Sequence, residues 1–163
     1  MKTTATLSAF LLMSTTAHGA PPNKRVEPPP GIGVGIVLGV PTGVSLGYRI
    51  ASKRHFSSAL AWSAPDKSFH LHVDYLFEVT QVVDPNAPMY QFPLYAGLGM
   101  RIQADQGRDG DNESLMGIRA PVGLTFLPQV IPFEVFAEIV PVMLLYPSTD
   151  ITFDGAIGAR YYF

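Results

Sequence analysis

Residues 151–163 read ITFDGAIGARYYF. Ile151, Phe153, Gly155, Ile157, Ala159, Tyr161 and Phe163 share one parity; Thr152, Asp154, Ala156, Gly158, Arg160 and Tyr162 share the other. Side chains alternate across a β-strand, so this stretch has one apolar face and one face that carries charge.

The same period of two recurs upstream. Gly31–Gly39 places Ile32, Val34, Ile36 and Leu38 together, with mostly glycine opposite. After Pro41, Thr42–Ile50 sets Val44, Leu46, Tyr48 and Ile50 against Gly43, Ser45, Gly47 and Arg49. His55–Ser63 shows Phe56, Leu60 and Trp62; Pro65-Asp66-Lys67 has turn chemistry. Ser68–Glu78 sets Phe69, Leu71, Val73, Tyr75 and Phe77 against His70, His72, Asp74 and Glu78. Gln91–Gln103, Ser114–Leu127 and Pro132–Met143 behave likewise, with Arg101, Arg119, Glu134 and Glu138 on their polar faces. The most polar loop is expected at Ala104–Glu113. With fifteen Gly and fifteen Pro in 163 residues, many short strands are favoured over a helical bundle.

The position of the charges decides what encloses what. Across the eight segments the bulky aliphatic face holds no charged residue; Ser58, Pro141 and Gly155 are its only departures. A soluble barrel turns its apolar face inward. Here the mixed face, rich in Gly, Tyr and potential ion pairs, suits a narrow interior, and the uniform apolar face suits lipid. In lipid only helices and closed barrels satisfy every backbone group, so the expectation is all-β: an eight-stranded antiparallel up-and-down transmembrane β-barrel over residues 31–163. No apolar run is long enough for a transmembrane helix. With both termini at the periplasmic rim, lipid-facing Tyr48, Phe56, Phe77, Phe92, Phe126, Phe133, Tyr161 and Phe163 gather there. Trp62, Phe69 and Phe153 gather at the outer rim, matching interfacial girdles.

The N-terminus has the form of an export signal. Lys2 is basic, Ala5–Met13 is apolar, and Ala17 and Gly19 are small residues before a cleavage site, giving a signal peptide over 1–19. Residues 20–30 (APPNKRVEPPP) form a Pro-rich flexible segment. Without Lys2 the net charge is about −3, which offers no nucleic-acid footprint. The absence of Cys excludes disulfides and thiolate metal sites.

The chain resembles the OmpA/OmpX-type class of eight-stranded outer-membrane barrels. More narrowly, it is similar to a family of small outer-membrane barrels known as a domain of unknown function. The resemblance is carried by GVGIVLGVPTGVSLGY (33–48), FHLHVDYLF (69–77), PLYAGLGMRI (93–102), GIRAPVGLTFLP (117–128), PFEVFAEIVP (132–141) and GAIGARYYF (155–163). It implies the outer membrane of a Gram-negative-type bacterium. It also implies that Tyr161 and Phe163 act as the assembly signal read by the barrel assembly machinery. It supplies no catalytic residue.

Candidate chemistry therefore lies in the lumen: Arg49, His70, His72, Asp74, Glu78, Arg101, Arg119, Glu134, Glu138, Asp154 and Arg160. Such charges are tolerable inside only when paired, for example Arg119 with Glu134 or Glu138. Inward Gly33, Gly35, Gly97, Gly99, Gly123 and Gly158 would make room for long side chains. The expected role is structural or surface-interactive, with a plugged lumen, an unidentified surface ligand and no cofactor. The alternatives are a narrow ion channel, or a lipid A-type acyl hydrolase using His55 and Ser57. His70-x-His72-x-Asp74 offers ligands on one strand face, a weak metal signal beside an expectation of no bound metal. The acidic Asp105–Glu113 loop departs from EF-hand spacing.

Overall fold

The computed structural model describes residues 31–51, 53–63, 68–82, 89–106, 112–128 and 130–163. The expected signal peptide and Pro-rich segment (1–30), the turn at 65–67 and the middle of the polar loop (107–111) lie outside the described residues.

The chain is all-β. Among the described residues ten strands are formed: β1 Gly31–Gly39, β2 Gly43–Ala51, β3 Arg54–Ser63, β4 Ser68–Gln81, β5 Tyr90–Gln91, β6 Pro93–Gln106, β7 Asn112–Arg119, β8 Val122–Pro128, β9 Phe133–Tyr146 and β10 Asp150–Tyr162. Every pairing is antiparallel, and β10 pairs both β9 and β1, so the sheet closes into a ring.

Ten strands occupy eight positions round that ring. Gln91 pairs Leu127 and Leu94 pairs Leu124, so β5 and β6 are one strand in one register, interrupted at Phe92. Arg119 pairs Gly99 and Val122 pairs Ala96, so β7 and β8 are likewise one strand, interrupted at Ala120-Pro121. A proline follows or forms each break, and proline cannot donate to a ladder. Across the second break the sheet stays joined: Gly97 N donates to Pro121 O (2.9 Å) and Ala120 N to Pro141 O (3.0 Å).

Other boundaries shift from expectation. β4 and β9 run three residues past Glu78 and Met143. The polar 104–113 stretch is partly strand, because the β6–β7 ladder continues to Gln106↔Asn112. Backbone pairing does not depend on polar side chains, so a hairpin can carry its ladder into such a segment. At the β1–β2 turn Gly39 has φ +129°, a conformation side chains rarely adopt, and Gly39 N and O both bond Thr42 Oγ1 (3.0 Å each).

Parity sorts the side chains as expected with one exception: β3 starts at Arg54, an exposed residue that shares the parity of Phe56 at the strand's end. Ile32, Ile36, Leu46, Leu98, Met100, Ile139 and Ile157 stand on the outer face and are well exposed. Inside lie four arginines, four carboxylates and a small apolar cluster of Val37, Ala59, Leu76, Tyr95 and Phe136. One rim holds Gly31 and Phe163. There aromatic rings touch: exposed Tyr90 and half-buried Phe92 and Phe126 form one group (Phe92–Phe126 centroids 5.2 Å), Phe56 meets Tyr75 at 5.3 Å, and Tyr161 meets Phe163 at 5.1 Å. Trp62, Phe69, Tyr146 and Phe153 are exposed toward the opposite rim.

Candidate functional site: a compensated charge network inside the ring

Alternation aims one residue in two of each strand inward, and the closed ring brings residues from distant strands together. Arg49, Arg101, Arg119 and Arg160 are all buried, as are Asp74, Glu134, Glu138 and Asp154. Arg119 is wholly excluded from solvent, and Glu134 and Asp74 are 1% exposed. Four cations face four anions. Glu78 departs from the expected network: it is half-buried near the rim, and its Oε1 accepts from Gln81 Nε2 (2.7 Å).

Glu134 organises the half nearer the termini. Its Oε2 accepts from Arg49 Nη2 (2.6 Å) and Tyr162 OH (3.0 Å), and its Oε1 from Arg160 Nη1 (3.0 Å). Arg160 also donates through Nε to Ser45 Oγ (2.8 Å) and through Nη2 to Ser57 Oγ (2.5 Å). Its guanidinium lies 4.2 Å from the Phe136 ring centroid, and that of Arg49 lies 4.9 Å from the Tyr162 ring.

Arg119 organises the other half. Its Nε donates to Asp74 Oδ1 (3.1 Å) and its Nη1 to Asp154 Oδ2 (3.2 Å). Its Nη2 stands 3.6 Å from Glu138 Oε1, which is an ion pair without a hydrogen bond. Arg101 Nη1 reaches both oxygens of Asp154 (3.0 and 2.8 Å), and Tyr95 OH donates to Glu138 Oε2 (2.9 Å).

The expected Arg119–Glu138 pair is present, but Arg119–Glu134 is not: Glu134 is claimed by Arg49 and Arg160. Ser45, Tyr95 and Tyr162 also belong to the network, beyond the residues expected in it, and Ser57, expected only as a partner of His55, belongs to it as well. Their inward parity was visible, but the partners that recruit them stand on strands far along the chain. Inward glycines do make room. A methyl at Gly33 would meet the Tyr162 ring at 2.8 Å, one at Gly123 would strike the Tyr95 hydroxyl, and one at Gly158 would strike the Phe136 ring.

His55 and Ser57 are both buried and inward, and no hydrogen bond joins them: Ser57 serves Arg160, and the His55 ring lies edge-on to Tyr95 at 6.1 Å. A crevice of about 20 Å³, room for roughly one water, opens beside His55, between Arg49, Glu78, Tyr95 and Glu134. Among the described residues no group of three or more His, Cys, Asp or Glu side chains is arranged to hold a metal ion. Asp74, the third member of the His70-x-His72-x-Asp74 run, binds Arg119 instead. Tyr161 and Phe163, expected as the assembly signal, are exposed on the outer face.

No family model matches the chain, and no curated protein or solved structure is significantly similar to it.

Proposed function

We propose that this chain is a small integral outer-membrane β-barrel whose lumen is closed by its own ion pairs, and whose role is to hold surface loops on a rigid wall. One observation carries the reading: the ring is inverted, with aliphatic and aromatic side chains exposed on its outer face and the compensated charges inside. The largest apolar patch of a typical soluble monomer covers about 300–600 Å². An exposed apolar face on strand after strand calls for an apolar surrounding. Apart from the two-residue β5, strands of 7–14 residues suit a tilted crossing, which takes about 9–11 residues, and aromatic rings near both rims suit the two interfaces. In this reading the termini are periplasmic and β10, with Tyr161 and Phe163, is the strand presented to the assembly machinery.

The plug reading is favoured over a conducting channel by the burial of all eight charges and their mutual bonding. An acyl-hydrolase reading has no His–Ser hydrogen bond to support it.

The chain has one tryptophan, Trp62, exposed near a rim. After refolding into vesicles whose acyl chains are brominated at defined depths, Trp62 fluorescence should be quenched most by the shallowest label. Emission indifferent to bromine at every depth would overturn the membrane reading.

A further inference from the structure

We infer that His70 and His72 form a two-histidine site for a divalent transition-metal ion of the zinc–copper class, set inside the ring on the side away from the chain termini. Both histidines lie on the inward face of β4, two residues apart, and both are buried. Their rings are nearly perpendicular (83°), with His70 Nε2 facing His72 Nδ1 at 3.4 Å. That separation is long for an N–H···N hydrogen bond. It matches the edge of a coordination tetrahedron: two nitrogens each 2.0–2.1 Å from a zinc ion lie roughly 3.3–3.4 Å apart. Neutral imidazole is the ligand type this metal class takes.

The surroundings supply two further parts of such a site. A histidine ligand ordinarily gives its other ring N–H to a carboxylate, which fixes the tautomer. His72 Nε2 is 3.6 Å from Asp74 Oδ2, and that oxygen is buried with no protein hydrogen-bond partner. A small rotation of either side chain makes the bond, with His72 ligating through Nδ1. The nearby cations do not repel an incoming ion outright. Arg101 is held by both oxygens of Asp154, and Arg119 is shared among Asp74, Asp154 and Glu138. Two protein ligands leave the remaining positions to water or to an arriving donor, so binding is of the open, exchangeable kind rather than a closed structural site. The inference rests on the ring interior alone and is independent of the membrane reading.

The test is zinc titration by calorimetry of the chain refolded in detergent, with its retained fold checked by circular dichroism. One ion per chain is expected, with affinity falling as acid protonates the imidazoles. His70→Gln and His72→Gln should each weaken binding by at least roughly tenfold, the loss seen when even an orienting partner is removed. His55→Gln should leave it unchanged. Electron paramagnetic resonance of the unmutated protein with cupric ion should show coupling to two imidazole nitrogens, which keeps the test open if a variant fails to fold. No zinc heat, affinity unchanged in the double His70→Gln/His72→Gln variant, or copper coupled to fewer than two imidazoles would overturn the site and leave the 3.4 Å contact as a bare His–His contact.

Discussion

At the scale of single residues, Arg119 and Glu134 matter most: Arg119 meets three buried acids, and Glu134 meets two buried arginines. Removing one partner of a buried pair strands the others, at a cost of about 3–5 kcal/mol. Arg119→Ala leaves Asp74, Glu138 and part of Asp154 without their counter-charge. We expect it to lower unfolding free energy by about that amount in a urea titration. Lys53→Ala, at an exposed position between β2 and β3, should shift the same titration by less than about 0.5 kcal/mol. Glycine acts at this scale too. Gly158→Val would drive a branched side chain into the Phe136 ring and the Ile36 carbonyl, and the expected result is a fall in refolded yield on gels. That these residues face inward was readable from parity. That Phe136 covers Gly158 was not, because the register of β9 on β10 sets it.

Strands are where the membrane reading becomes a number. Leu98 lies mid-way along β6 on the outer face and is 65% exposed, so in water Leu98→Arg would be nearly free. In a bilayer an outward arginine near the midplane costs about 2–4 kcal/mol. The expected outcome is that larger loss when unfolding is followed from lipid vesicles, and its absence would count against lipid contact. Element boundaries were the less legible part of the fold. Period-two alternation located all eight ring positions, yet Phe92 and Ala120-Pro121 interrupt two of them and the 104–113 stretch holds paired backbone. Alternation reports which way side chains point. It does not report where backbone hydrogen bonds lapse or continue, which proline and the neighbouring strand decide.

For the whole molecule, closure and compensation go together. A ring of eight positions is narrow enough for side chains to fill it. The four arginines and four acids meet across it, so the interior is close to neutral. In planar bilayers the refolded chain should show no discrete current steps near neutral pH, and Arg119→Ala, which empties the centre, should introduce them. Steps of equal size in both proteins would make the lumen a working channel and remove the plug.

By itself the sequence determined the alternation, the apolar face, the segregation of the strand charges other than Arg54 to the opposite face, and the clustering of aromatic residues near strand ends. These are local properties, carried by the pleat of each strand. Only the tertiary structure decided who meets whom. Arg49 and Glu134 are 85 residues apart in the chain, and Arg160 and Ser57 are 103 apart. His72 and Asp74 are two residues apart on one strand face, yet the hydrogen bond to Asp74 Oδ1 comes from Arg119, 45 residues on. The physical reason is closure: β10 docking on β1 turns eight one-sided strands into an enclosed space, and inside it each charge takes the nearest opposite charge whatever its place in the chain.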